Sequence, residues 1–412
     1  MSSINRYLLS IFALLVCYSN AGAESICDPD GLQTSGSIYR ICMPPADKYN
    51  GKLIIWAHGF QDAGTPVQIP EDQLNIGGVP IPAIVNALGY GFATNSYSKT
   101  GLAVRQGVAD ILDLVDIYAA EQGPPQKVYL TGASEGGLIT ALLTEQHADV
   151  FSAGLATCGP VGSFPFQINY FGDGRLTFDY FFPGVIPGDT FDPPQALVDN
   201  WSNYYDFVVK PIVLDPLNRH ALDQWVQVAK LPYDANDYLT TVEESVQDVL
   251  RYAVVNLKDA EQTLGGFPYG NANRVYTGSD DDTLLNQLIP RYQADPAALA
   301  EMQSFYNTSG VLDRPLITMH TTLDQQVPYT HEYLYILKTI DSGAFLTRHL
   351  NRRIERYGHC NFTVSEALSG LVLMLLYDSA TIDMNTVNEF LVDEPSRADF
   401  MKSITQHGFS VR

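Results

Sequence analysis

Basic residues are scarce in this chain: 24 Lys and Arg stand against 46 Asp and Glu, a formal charge of −22. That balance argues against nucleic-acid binding, since no basic stripe is available to displace counterions from phosphates. It suits an acidic, well-solvated surface. Long apolar runs are also missing. After the first 23 residues, the one strongly apolar run, Leu371 to Tyr377, has the length of a buried helix and not of a membrane span. Metal-binding signatures are absent: there is no HExxH and no paired-histidine spacing. Nor is there a phosphate-cradling or dinucleotide glycine fingerprint, so no metal and no cofactor is expected. The acidic run Ser279-Asp280-Asp281-Asp282 lacks EF-hand spacing and reads as helix caps and solvated loop. No repeat of solenoid period is found. What remains is a chain 46% hydrophobic and 17% charged, ordinary for a globular enzyme.

Residues 1–23 have the pattern of a secretory signal. Arg6 gives the positive start, Tyr7 to Val16 the apolar centre, and Ala21-Gly22-Ala23 an A-x-A cleavage site. A mature chain beginning near Glu24 would be secreted or periplasmic, with no stable membrane anchor. Of five cysteines, Cys27, Cys42, Cys158 and Cys360 lie beyond the signal. An even number in an exported chain favours disulfides, in one of three pairings. The favoured pairing is Cys27–Cys42, close in sequence, with Cys158–Cys360 at one edge of the sheet.

Strand and helix patterns alternate. Ser37–Cys42, Lys52–Ala57 and Gly91–Tyr97 read as strands, and Gly101–Gly123 carries apolar residues at helical spacing. Strands at Val128–Leu130 and Ala153–Thr157 follow, and the rhythm then breaks at Gly159. It resumes with strands at Pro315–His320 and Phe345–Leu350 and a helix over Val364–Tyr377. The fold class is α/β: a mostly parallel sheet covered by helices on both faces. The core comprises 24–158 and 313–412, and 159–312 is an inserted, mainly helical cap, with helical patches at Val242–Leu257 and Ala297–Tyr306.

The most informative stretch is Lys127–Thr144. A short apolar strand runs into Gly132-Ala133-Ser134-Glu135-Gly136, and a helix starts at once. Strand–G-x-S-x-G–helix is a nucleophile elbow, whose sharp turn holds a serine hydroxyl clear of the sheet. A serine nucleophile needs a base, an acid to orient that base, and N–H donors for the oxyanion. Asp324 follows the strand PLITMH in the turn LDQQVP, and His359 lies in the loop YGHC, in the order serine, aspartate, histidine. Asp324 as a mere helix cap and His359 as a structural loop histidine are the plainer readings. His320, His331 and His349 read as core or surface residues, and His58 as structural. His58-Gly59-Phe60 ends a buried strand, so the oxyanion donors expected are the backbone N–H groups of Phe60 and Glu135, with Gln61 the alternative.

WAHGF, GASEGG, LDQQVP and YGHC, in this order, resemble the α/β-hydrolase superfamily and, within it, secreted esterases. The resemblance covers roughly 38–158 and 313–378. It implies a serine hydrolase with Ser134 as nucleophile, His359 as base and Asp324 as its partner. The His-Cys pair also resembles tannases and feruloyl esterases, in which a cysteine preceding the nucleophile is bonded to the one after the histidine. Here Ala133 precedes Ser134, and Cys158 would take that place.

The first third of the cap is rich in aromatics, Phe164 and Phe166 among them, which points either to an aromatic-lined cleft or to the cap's own core. Tyr97, at a strand end, is a further pocket candidate. The function expected is a carboxylic-ester hydrolase acting on a bulky or aromatic small-molecule or polymer ester. A serine peptidase on the same core and a catalytically silent binding module are the alternatives.

Overall fold

The computed structural model describes residues 26–378 and 382–409; the expected signal, 1–23, lies outside the described residues. One sheet forms the frame. Its long strands are β1 (Ile38–Met43), β2 (Lys52–Ala57), β3 (Gly91–Asn95), β4 (Lys127–Ala133), β5 (Phe151–Thr157), β6 (Leu316–Leu323) and β7 (His349–Tyr357). They lie in the order β1-β3-β2-β4-β5-β6-β7. From β3 to β7 the neighbours run parallel, and β1 is antiparallel to β3. Two short strands, Ile26–Cys27 and Gly31–Leu32, pair with β1.

The main helices are α1 (Ile81–Ala87), α2 (Val104–Gln122), α3 (Glu135–Gln146), α4 (Phe164–Phe181), α5 (Tyr238–Arg251), α6 (Thr330–Asp341) and α7 (Val364–Tyr377). Successive strand residues point to opposite faces. Leu53, Ile55, Val128 and Leu130 pack on one face with α2 and α3. Ile54, Trp56, Tyr129 and Leu155 pack on the other with α1 and α7. Burial on both faces is why β2 and β4 are nearly continuous apolar runs.

From the end of β5 to the start of β6 the described elements are helical. Many of the aromatics here form a core of this helical stretch: Phe171, Phe178, Phe182, Trp201, Tyr205 and Trp225 are buried together. Phe164 and Ile168 instead join the core cluster containing Leu138 of α3, which packs α4 against the helices on the sheet. The acidic run caps a helix as expected: Asp281 accepts a hydrogen bond from the Leu284 N–H at the start of Asp282–Leu288. One strand is displaced from its expected place. Over 344–348 the chain is still turning out of α6, with Leu346 at φ 61°, so β7 begins at His349 and runs to Tyr357.

The sheet order has a switch point. From β2 the chain moves outward to β3, then returns to the other side of β2 as β4. In open parallel sheets the crevice outside the carboxyl ends at such a point is where ligands bind. His58-Gly59-Phe60 and Ser134 flank that crevice, since Ala57 pairs with Gly132 in register.

Candidate active site

Ser134 links β4 to α3 with φ 58° and ψ −121°, a conformation that costs an ordinary residue about 1–3 kcal/mol and persists only when its surroundings enforce it. The enforcement is visible. The Ser134 N–H donates to the Thr157 carbonyl at 2.9 Å, and its own carbonyl accepts from Gly137 and Leu138. A Cβ on Gly136 would strike the Ala57 and His58 carbonyls, so α3 can begin this close to β2 only with glycine there.

The two other expected residues come from adjacent strand ends. Leu323 of β6 pairs with Tyr357 of β7, which places Asp324 beside the His359 loop. Thr321 Oγ1 donates to the Gly358 carbonyl at 2.6 Å, and Gly358 N–H donates to the Leu323 carbonyl. His359 Nδ1 then lies 2.7 Å from Asp324 Oδ2. The other carboxylate oxygen accepts the N–H groups of Gln326 and Val327 at 2.9 and 2.8 Å. Asp324 is fully buried. Burial opposes its charge, yet the imidazoles of His359 and His320 outweigh that cost and hold it well below the usual carboxylate range. His359 remains 12% exposed, and with Ser134 it borders one cavity at the switch point. The fold is thus a mostly parallel α/β sheet with a strand–serine–helix elbow at its switch point.

Sulfurs of Cys27 and Cys42, and of Cys158 and Cys360, lie at bonding distance, with Cα atoms 3.8 and 5.4 Å apart. The second pair joins the residue after β5 to the residue after His359, so it ties the histidine loop to the strand beside the elbow. Among the described residues, the backbone N–H groups of Phe60 and Glu135 have no acceptor, whereas Gly59 N–H donates to Gln73 Oε1 at 2.6 Å. Two unpaired donors on either side of Ser134, one at the start of a helix, suit a developing oxyanion.

Of the pocket residues expected, Phe164 lines a small apolar cavity against Ser134. Gln61 lines neither cavity that borders Ser134. Tyr97 is buried, stacks on His58 with ring centroids 3.9 Å apart, and donates to the His58 carbonyl at 2.8 Å. Its place is against His58, just past the end of β2, and it lines neither cavity that borders Ser134. Phe166 faces a separate cavity with Tyr170 and Arg274.

His320 matters more than its sequence context suggested. It is fully buried, with Nε2 2.8 Å from the Val327 carbonyl and 3.2 Å from Asp324 Oδ2, and Nδ1 3.2 Å from Glu332 Oε1. Acceptors face both nitrogens, so both carry hydrogen and the ring is an imidazolium. Burial lowers its pKa, but the two carboxylates dominate and raise it to about 10. The signal available in sequence was a polar Thr318–His320 pair on one face of a strand buried on both sides. His331 behaves oppositely. Its Nδ1 accepts from Gly162 and Ser163 N–H, and burial holds it neutral.

Helices between β5 and β6 hold the turns around Ser134. Gln325 and Gln326 both donate to Asp248 of α5 at 2.9 Å, Tyr170 donates to the Gln325 carbonyl, and Gln167 to the Gln326 carbonyl. Arg251 and Asn256 hold Asp62, two residues past Phe60. The turn bearing Asp324 and the loop bearing Phe60 are thus fixed from above.

No protein-family model and no curated protein matches the sequence. Among solved structures the chain is similar to an acylaminoacyl peptidase in complex with Z-Gly-Gly-Phe-chloromethyl ketone, at 11% identity over 87% of this chain and 41% of that one, TM-score 0.43. It is also similar to Candida antarctica lipase A, at 16% identity over 90% and 84%, TM-score 0.44. Est1E from Butyrivibrio proteoclasticus matches at 15% identity over 87% and 100%, TM-score 0.38. The chain spans about two fifths of the length of that peptidase. At these identities the likeness concerns the fold.

Proposed function

We propose that the protein is an exported carboxylic-ester hydrolase that forms an acyl-enzyme on Ser134. The observation that carries this reading is a strained, elbow-held serine opening into the same cavity as a histidine that is bonded to a buried, ionised aspartate. Ser134 Oγ attacks the ester carbonyl carbon as His359 Nε2 takes its proton. The N–H groups of Phe60 and Glu135 hold the oxyanion. His359 returns the proton to the departing alkoxide, and Asp324 keeps the ring oriented and stabilises its positive charge. Water, activated by the same histidine, then releases the acid. Two disulfides fit an oxidising compartment, and no described helix is long and apolar enough to cross a membrane.

The test is turnover of p-nitrophenyl butyrate together with covalent labelling by a fluorophosphonate. Ser134→Ala is expected to abolish both; a variant retaining more than a few per cent of wild-type activity removes Ser134 from its role. A serine peptidase on the same core is the second reading, with Asp72 at the cavity wall available to hold a substrate ammonium. Aminoacyl-naphthylamide hydrolysis equal to ester hydrolysis would favour it.

A further inference from the structure

Two cavities meet at Ser134, and they differ in size, wall and neighbour. The larger, about 620 Å³, runs between the sheet and the helices α1 and α7. Its floor includes Ile54, Trp56, Leu155 and Met319, and its roof Val364, Ala367, Leu368 and Leu371. The roof is the direct continuation of the chain beyond His359, and the imidazole itself borders this space. The smaller, about 80 Å³, lies on the cap side of the serine between Leu138 of α3, Phe164 and Ile168 of α4, and Ala260. It is bordered by Glu135 and not by His359.

The reaction assigns the two spaces. In acylation the bond from Ser134 Oγ to the acyl carbon forms, the bond from that carbon to the alkoxy oxygen breaks, and the alkoxy oxygen takes the proton from His359. The leaving oxygen must therefore lie on the imidazole side, and the acyl chain on the other. We infer that the larger cavity holds the alcohol portion of the substrate and the smaller one the acyl group, so that the substrate class is an ester of a short carboxylic acid with a medium-chain apolar alcohol. This rests on the ester-hydrolase reading. Val364 to Leu371 spans roughly 10 Å at the helical rise, and an extended chain advances about 1.2 Å per bond, so the space accepts a chain of about eight carbons.

Two series of esters test the assignment on the wild-type protein. Acetates of ethanol, butanol, hexanol and octanol vary the alcohol, and ethyl esters of acetic, butyric, hexanoic and octanoic acid vary the acyl group. Burial of one methylene corresponds to a gain of about fourfold in kcat/KM, so the alcohol series is expected to rise steeply toward octyl. The acyl series is expected to fall beyond butyrate. Ala367→Phe, which fills the larger cavity, is expected to lower the octyl-to-ethyl acetate ratio at least tenfold. A rise along the acyl series with a flat alcohol series overturns the assignment, as does an unchanged ratio in a folded Ala367→Phe variant. Should that variant fail to fold, the wild-type series still decides. Fluorophosphonate labelling separates the two levels: labelling with the wrong chain preference sinks this inference alone, and no labelling and no ester turnover sinks the function beneath it.

Discussion

Replacing His320 with Gln would leave two buried carboxylates, Asp324 and Glu332, without the imidazolium between them. His320 contacts each at 3.2 Å and all three side chains have no exposure. Removing one partner of a buried ion pair costs about 3–5 kcal/mol, mostly as the penalty on the charge left behind. The pH dependence gives a sharper measure. The folded-state pKa of His320 is raised to about 10, from an ordinary 6.5. Its contribution is therefore complete below pH 6.5 and is lost as pH rises through the folded value. Over that window each pH unit removes up to about 1.4 kcal/mol, so the wild type loses about 2–3 kcal/mol from this group between pH 7 and 9. The variant loses none from it. Urea unfolding of both proteins at pH 7, 8 and 9 measures the difference. Wild type and His320→Gln are expected to differ most at pH 7 and to converge by about 2–3 kcal/mol at pH 9. A gap that stays constant across that range refutes a charged His320.

Glu135 follows the nucleophile, and burial pushes its carboxyl up to about 8 against the lowering effects of the Ala103 N–H and Lys99. Its ionisation puts negative charge beside the oxyanion, so kcat/KM is expected to decline above pH 8, and Glu135→Gln to shift that decline upward; superimposable pH profiles argue otherwise. The Cys158–Cys360 pair closes a loop of 202 residues, for which the chain-entropy model gives about 5 kcal/mol. Cys360→Ser should lower the melting temperature accordingly and reduce kcat more than it raises KM, because the His359 loop loses its anchor; a loss confined to KM contradicts that. Gly136→Ala drives a methyl into the carbonyls of Ala57 and His58, an overpacking worth about 3 kcal/mol, detectable by denaturant melts and absent if the elbow is wrongly placed.

Much of the site was legible because its signals are local. The elbow is written in consecutive residues: an apolar strand, glycines where any side chain would collide, a serine, then a helix. Asp324 could be placed because it comes in the turn just beyond a buried strand, and His359 because it sits in a glycine-flanked loop before an apolar helix; the strand that delivers His359 was expected at 345–350 and lies instead at His349–Tyr357. The cysteine pairs followed from an even number and from where strands end. Other features could not be found this way. Tyr97 looked like a pocket residue because it ends a strand at the active edge, yet packing turned it under His58. Phe166 sits two residues from Phe164 and so leaves the face that meets the serine. His320 looked like core, since only its three-dimensional neighbours, Asp324 and Glu332, make it a buried cation.

Sequence alone determined the α/β class and pointed to the elbow serine and to the order of the candidate aspartate and histidine, because backbone geometry and side-chain chemistry at those points depend on a few adjacent residues. Tertiary structure alone decided which groups are charged and which side of Ser134 is roomy. Those properties come from desolvation and from gaps between elements distant in the chain, such as α7 over β5 and α4 over α3, and no spacing of residues along the chain encodes them.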